Sequence, residues 1–228
     1  MTPWRVVLTR ESGLNDALRE QFPEDFTVAE VPLTVTHYDD LADVDDRLRR
    51  SPHYGRFASL IVTSRRTDRY LPLCHNAMAT PREVFTVGHS TASSLEEAGF
   101  MVTRSTDEGV LTLAPHITTG PVLILGARHP YGDIAGALSP RLEVASVACY
   151  ETGSAEVTAD DATVLGEADA VVIAAPSAWA VARPYVQPRT WVLVPGDSTL
   201  QTVADSHERV VRAWGPSMVT TLRTLRET

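Results

Sequence analysis

Residues 84–100 read VFTVGHSTASSLEEAGF: a β-branched, aromatic strand run, one glycine, a short polar turn, then apolar residues at helical spacing. The step from strand to helix at Gly88-His89-Ser90-Thr91 is the unit from which an α/β protein is built. It recurs along the chain. Strand-like runs lie at RVVLTR (5–10), SLIVTS (59–64), MVTR (101–104), PVLILGA (121–127), LEVASVACY (142–150), AVVIAA (170–175), TWVLVP (190–195) and RVVRAW (209–214). Between them lie amphipathic segments such as SGLNDALREQF, DDLADVDDRLRR, GDIAGAL, TADDATVLGEA, TLQTVADSHE and MVTTLRTLRE. The alternation predicts parallel sheets with helices on their faces.

The opening stretch also has a partner. TVGHSTASSL is answered by LVPGDSTLQTV, in which Gly196, Asp197, Ser198 and Thr199 repeat the glycine, polar, Ser-Thr order. SLIVTSRRTDRYL is answered, at nearly the same offset, by AVVIAAPSAWAVARPYV, which sets Thr63 and Ser64 opposite Ala174 and Ala175. Two matched pairs predict two similar lobes. Two long extended stretches, FTVAEVPLTVTHY (26–38, with Pro32) and LEVASVACYET (142–152), are expected to connect them. One lobe is then 42–144, and the other combines 1–34 with 153–228, with connectors near 35–41 and 145–152.

Composition narrows the chemistry. Among 228 residues the formal net charge is −9, which argues against a general nucleic-acid or membrane-surface binder. There is no lysine, so Schiff-base chemistry, pyridoxal attachment and a Walker-type phosphate loop are all excluded. The two cysteines, Cys74 and Cys149, form no CxxC pair, and the histidines show no metal-ligand spacing, so no metal and no disulfide framework is expected. No GxGxxG follows a strand and no GxSxG elbow occurs. The chain shows no run of eighteen apolar residues and its start lacks a signal-peptide layout, so it is expected to be cytoplasmic.

What remains is a set of strand-to-helix turns, which in open α/β sheets present unpaired N–H groups and a partial positive charge to anions. Gly88 permits close approach of a ligand, and Ser90 and Thr91 either cap the helix or donate hydroxyl hydrogen bonds. Ser198 with Gln201 reads as a capping box. For any one turn an ordinary helix cap explains the residues as well as a ligand does. Tyr150, in VACYET, either anchors the lobe junction through its hydroxyl or serves as a proton donor. Nothing in the sequence gives His89 a role.

Taken in order, the segments VVLTR, LIVTS, VGHSTASSLEEAGF, CYET, IAAPSA, PGDSTLQTV and VVRAWGPSM resemble the uroporphyrinogen-III synthase family across the whole chain. The resemblance implies two flavodoxin-like or Rossmann-like parallel-sheet lobes joined by a two-stranded β-ladder, with a deep interlobe cleft. It implies a cofactor-free lyase that dehydrates and cyclises hydroxymethylbilane to uroporphyrinogen III, inverting ring D through a spiro intermediate. Tyr150 falls on the family's tyrosine that assists departure of the hydroxyl. Arg10, Thr63, Ser64, Gly88, Ser90, Thr91, Ala92, Ser177, Ser198 and Thr199 fall on its substrate-binding positions. A monomer fed by hydroxymethylbilane synthase is implied, with no nucleic-acid or membrane partner. The chain departs from the family at Ala174-Ala175, where hydroxyl residues are usual, and in LGARHPYGD, where Leu125 and Pro130 stand at arginine positions. These departures motivate the alternative of a tetrapyrrole-binding or regulatory module that has lost catalysis. A nucleotide-using α/β enzyme is a third reading, without a phosphate-loop motif to carry it.

Overall fold

The structure, a computed structural model, describes residues 3–106, 108–130 and 132–227. In chain order the elements are β1 (Trp4–Leu8), α1 (Asp16–Arg19), β2 (Phe26–Glu30), β3 (Thr34–Tyr38), α2 (Leu41–Arg50), β4 (Phe57–Val62), a 3-10 helix (Arg65–Tyr70), α3 (Leu71–Ala77), β5 (Met78–Val87), α4 (His89–Glu97) and β6 (Arg104–Thr106). A second 3-10 helix (Val110–His116) follows, then β7 (Val122–Ala127), α5 (Ile134–Leu138), β8 (Val144–Ser154), α6 (Ala159–Gly166), β9 (Ala170–Val172), α7 (Pro176–Ala182), β10 (Trp191–Val194), α8 (Asp197–Ala204), β11 (Val210–Arg212) and α9 (Ser217–Arg226). The chain divides into two compact units, one formed by residues up to 36 with those from 152 onward, the other by 37–151.

Each unit is built on strands paired in parallel, β1, β2 and β9 to β11 in one and β4 to β8 in the other, and buried on both faces, which is why these strands read as continuous apolar runs. In the 37–151 unit, Leu60 and Val62 of β4 and Leu123 and Leu125 of β7 join one core with Val44, Leu48, Leu71 and Leu95. The alternate residues, Ile61, Val122 and Ile124, join another core with Val110, Leu113, Ile134 and Leu138. In the other unit, Val7, Val171 and Val192 face α6, α7 and α8, while Val6, Val172 and Leu193 face α1 and α9. Period-two alternation of strand side chains thus supplies two helix-covered faces from one hydrophobic run.

The sheet orders are β11-β10-β9-β1-β2 and β3-β8-β7-β4-β5-β6. Counted from β9 and from β4, both contain the order 3-2-1-4-5 of a Rossmann-type sheet. The two units begin that count at different points of the chain: β7 and β8 follow β4 to β6, whereas their counterparts β1 and β2 precede β9 to β11. This accounts for the repeat: LIVTS follows the same sheet position as VVIAAPS, and TVGHST the same as LVPGDST.

Three segments differ from expectation. The 26–38 stretch is two strands, because Pro32 has no N–H for a ladder while Val31 and Leu33 donate to the carbonyls of Leu8 and Thr9. The predicted MVTR strand forms later, at Arg104–Thr106, where Thr103 already exchanges hydrogen bonds with Val84 through both its N–H and its hydroxyl. The SGLNDALREQF helix is a single turn, since the Asn15 amide donates to Arg10 and Glu30 instead of capping. A capping box does start α6, where Thr158 and Asp161 satisfy each other's backbone N–H groups.

Candidate active site

In a 3-2-1-4-5 sheet the strand order reverses between strands 1 and 4, and a crevice opens there beyond their carboxyl ends. In the 37–151 unit that point lies between β4 and β7. β4 is followed by Thr63 and Ser64, and Ser64 becomes the N-cap of the following 3-10 helix, its Oγ accepting from the Arg66 N–H at 3.2 Å. The Thr67 hydroxyl then donates to the Ser64 carbonyl at 2.7 Å, locking the turn.

β7 ends at Gly126-Ala127, where its register against β8 slips. Gly126 pairs with Ala148 but Ala127 pairs with Tyr150, leaving Cys149 as the extra residue of a bulge. The Cys149 thiol donates to the Gly126 carbonyl at 3.3 Å. Beyond the slip Tyr150 is buried, 4 % exposed. Burial pushes the Tyr150 phenol above its ordinary value, while Ser64 and the charge of Arg66 pull the other way. The balance keeps the phenol protonated at neutral pH, the state a proton donor needs.

Around it sits an aromatic and cationic frame. Tyr38 lies 6.3 Å from Tyr150 between ring centroids, at a tilt of 50°. The Arg69 guanidinium stands 5.4 Å over the Tyr38 ring and 5.4 Å over the Tyr70 ring. Tyr70 donates its hydroxyl to the Asp39 carbonyl at 2.5 Å. The Asp39 carboxylate receives Arg47 at 2.6 Å and Arg128 at 3.0 Å. Burial disfavours the Asp39 charge, but the two guanidinium groups outweigh it and hold the carboxyl below its ordinary value. Arg128 also approaches Glu151 at 3.5 Å, so this arginine is engaged by two carboxylates. A cavity of about 220 Å³ adjoins the same strand ends, with Thr63, Gly126, Arg128, Asp133 and Ser146 in its wall.

The Gly88 turn lies one strand over, at the end of β5, which pairs with β4. Gly88 is the N-cap of α4, with φ of +84°, a region open to glycine and strained for other residues. It offers no side chain as a cap, and Ser90 and Thr91 stand inside the helix, so the capping role expected of them falls to Gly88. Thr91 and Ala92 are buried and their N–H groups donate to the Gly88 carbonyl; His89 and Ser90 are exposed at the helix start.

In the other unit the switch point lies between β9 and β1. Thr9 ties those strands together, its hydroxyl donating to the Val172 carbonyl at 2.6 Å. Arg10 follows, with its guanidinium donating to the Leu14 carbonyl at 2.8 Å. α7 starts from Ala175 with no side-chain cap, and Ser177 is exposed in its first turn. Gly196 caps α8 in an extended conformation, so the Ser198-Gln201 capping box does not form: Ser198 is the second helical residue and exposed, and Thr199 is buried. Asp197 stands in the first turn of that helix, paired with Arg212 at 3.1 Å.

Within the 37–151 unit, then, Thr63, Ser64 and Tyr150 share one end of the sheet, with Gly88 to Ala92 on the neighbouring strand end. Tyr38, Asp39, Arg47 and Arg69 belong to the same frame, and sequence reasoning does not single them out. Tyr38 and Asp39 close the long 26–38 stretch, and a tyrosine followed by aspartates at a strand end is the one signal available. Among the described residues no cluster of three or more His, Cys, Asp or Glu side chains is arranged to hold a metal ion.

A family model described as uroporphyrinogen-III synthase HemD matches residues 15–213. A mutant uroporphyrinogen III synthase from the extreme thermophile Thermus thermophilus superposes with a TM-score of 0.65 at 15 % identity, covering 99 % of this chain and 100 % of that one. The uroporphyrinogen-III synthetase of Helicobacter pylori 26695 gives a TM-score of 0.66 at 16 % identity, covering 98 % and 99 %. At these identities the two superpositions speak for a shared fold. No curated protein matches the chain significantly.

Proposed function

This chain belongs to the uroporphyrinogen-III synthase family, and from that premise we propose that Tyr150 is the acid of its reaction. The activity is the closure of hydroxymethylbilane to uroporphyrinogen III. The observation that carries the role of Tyr150 is a phenol buried beside the switch point of its sheet and kept protonated by burial. Its proton passes to the departing hydroxyl, which leaves as water. The cation that remains is reactive without further help, so the protein's larger task is to hold the reacting ends in one geometry. Tyr150 accelerates departure and is not an absolute requirement.

The substrate's carboxylates need local positive potential on an acidic protein. In the 37–151 unit we assign it to the N-terminus of α4 at Gly88, Ser90, Thr91 and Ala92 and to the turn at Thr63 and Ser64. Arg10, Ser177, Ser198 and Thr199 are assigned as carboxylate contacts of the other unit on the same ground, though Asp197 already occupies the start of α8 with a negative charge. Among the described residues no helix is long and apolar enough to cross a membrane. A cytoplasmic monomer receiving its substrate from hydroxymethylbilane synthase completes the proposal.

The test generates hydroxymethylbilane in situ and separates the oxidised porphyrin isomers. The III isomer is expected from the wild type, and Tyr150→Phe should form it roughly 10- to 100-fold more slowly. Formation of the I isomer alone by the wild type would overturn the reading. The start of α7 at Ala174-Ala175 favours one rival, a tetrapyrrole-binding module without catalysis; binding of the bilane without isomer conversion would select it.

A further inference from the structure

The loop that leaves β1 at the switch point of its sheet carries Arg10 and, beside it, a carboxylate with a different partner. Glu11 receives Thr36 twice: the Thr36 N–H donates to its Oε1 at 2.8 Å and the Thr36 hydroxyl to its Oε2 at 2.7 Å. Thr36 is buried, 8 % exposed, and lies in the middle of β3. β3 stands at the edge of its sheet with β8 as its neighbour, and an edge strand has backbone groups that one neighbour leaves over. A carboxylate that takes an N–H and an O–H from one residue makes two charge-assisted hydrogen bonds in one fixed geometry.

The same loop closes on itself. The Leu14 N–H donates to the Glu11 carbonyl at 3.0 Å, and the Arg10 guanidinium donates to the Leu14 carbonyl at 2.8 Å. The Asn15 amide donates to the Arg10 carbonyl and to the Glu30 carboxylate, each at 3.1 Å, from a fully buried position. Asn15 thus ties the far end of the loop to β2, and Glu11 ties its near end to β3. Arg10 sits one residue before Glu11, so the second tie fixes the backbone from which its guanidinium projects. A loop ordered before its ligand arrives spends less of the binding energy on ordering.

We propose that Glu11 is the positioning residue for Arg10: by gripping Thr36 through both carboxylate oxygens it holds the β1 loop in the shape that presents the guanidinium to a substrate carboxylate. The inference rests on the assignment of Arg10 as a carboxylate contact. Glu11 itself touches no reacting atom. The substrate's carboxylates take no part in the bonds made and broken, so the contact that Glu11 supports is equal in the ground state and the transition state. An interaction of that kind acts on KM and leaves kcat alone.

The decisive experiment is a double-mutant cycle on hydroxymethylbilane turnover, with urea unfolding midpoints taken on the same samples. Glu11→Ala is expected to raise KM roughly tenfold, the worth of one hydrogen bond to a charged group, with kcat little changed. Glu11→Gln keeps an oxygen for the Thr36 N–H and an N–H for the Thr36 hydroxyl, and should restore most of the affinity. In the Arg10→Ala background Glu11→Ala should raise KM no further. Thr36→Val guards against a loss of folding in Glu11→Ala: it keeps the N–H and the shape, removes the hydroxyl, and should raise KM roughly two- to threefold. A fully additive cycle, a wild-type KM in Glu11→Ala or Thr36→Val, or a Glu11→Gln variant as weak as Glu11→Ala would overturn the inference while leaving Arg10 as a carboxylate contact. A wild-type KM for Arg10→Ala would overturn that assignment itself, and the inference with it.

Discussion

The backbone N–H of Arg128 donates to the carbonyl of Tyr150 at 2.8 Å, one step past the point where β7 and β8 slip register. The residue that leaves the sheet on one strand thus pins the residue that carries the phenol on the other. Thr63 lies across from the slip, close to Gly126. A Cβ at Gly126 would sit 3.6 Å from the Thr63 Oγ1, an ordinary contact. Gly126→Ala is therefore expected to stay within about 0.5 kcal/mol of the wild type, and Gly126→Leu to lose roughly 1–3 kcal/mol by overpacking. Urea unfolding midpoints of the two variants test this pair.

The two repeated glycines are not equivalent. Gly88→Ala places a side chain at φ +84° and should destabilise by roughly 1–2 kcal/mol, with a raised KM as the His89 and Ser90 N–H groups are re-aimed. Gly196 has φ −158° and open space where a Cβ would go, so Gly196→Ala should leave the melting temperature nearly unchanged. Equal losses in both variants would contradict the assignment of strain to Gly88.

Burial pushes the Cys74 and Cys149 thiols up to about 12. An unfolded thiol titrates near 8.5, so above that pH the unfolded chain releases protons that the folded one retains. Their contribution is complete below about pH 8.5 and is lost as pH rises toward the folded value. Wild-type stability should fall between about pH 8.5 and 10, before tyrosines titrate, and a Cys74→Ala/Cys149→Ala variant should show a flatter profile over that interval. A flat wild-type profile would refute the prediction.

Asp39 works with the opposite sign. Its carboxyl is held low against burial by Arg47 and Arg128, so its contribution is present above the ordinary carboxylate range, near 4, and fades as pH falls through the folded value. Asp39→Ala leaves two guanidinium groups without this partner and should lose roughly 1–2 kcal/mol at about pH 7. Thermal melts at about pH 7 and about pH 3 check it: the gap between variant and wild type should narrow at the lower pH.

Much of the fold was legible in the chain because a sheet covered on both faces demands apolar runs such as FASLIV and VLILGA, and strand-to-helix turns demand glycine or a small polar residue. The repeat of TVGHST in LVPGDST was legible too, and the shared sheet order explains it. Single-turn helices and caps were less so. Ser198 with Gln201 has the composition of a capping box, but the chain enters α8 from Gly196, two residues earlier, so Ser198 has no helix start to cap. A cap depends on which residue leaves the strand last, and that is fixed by where β10 stops pairing.

The sequence by itself determined the alternation of strands and helices, the glycine and hydroxyl residues available at the strand ends, and the chemistry excluded by the absence of lysine. The tertiary structure alone decided which strand ends are neighbours. Ser64 follows β4 and Tyr150 lies on β8, far apart in the chain, and they share one end of the sheet because β7 pairs with both β4 and β8 and a bulge at Cys149 shifts its register. Local sequence encodes propensity over a few residues; strand order and register arise from packing the whole apolar surface at once, and the place of the Tyr150 phenol at that sheet end follows from that packing.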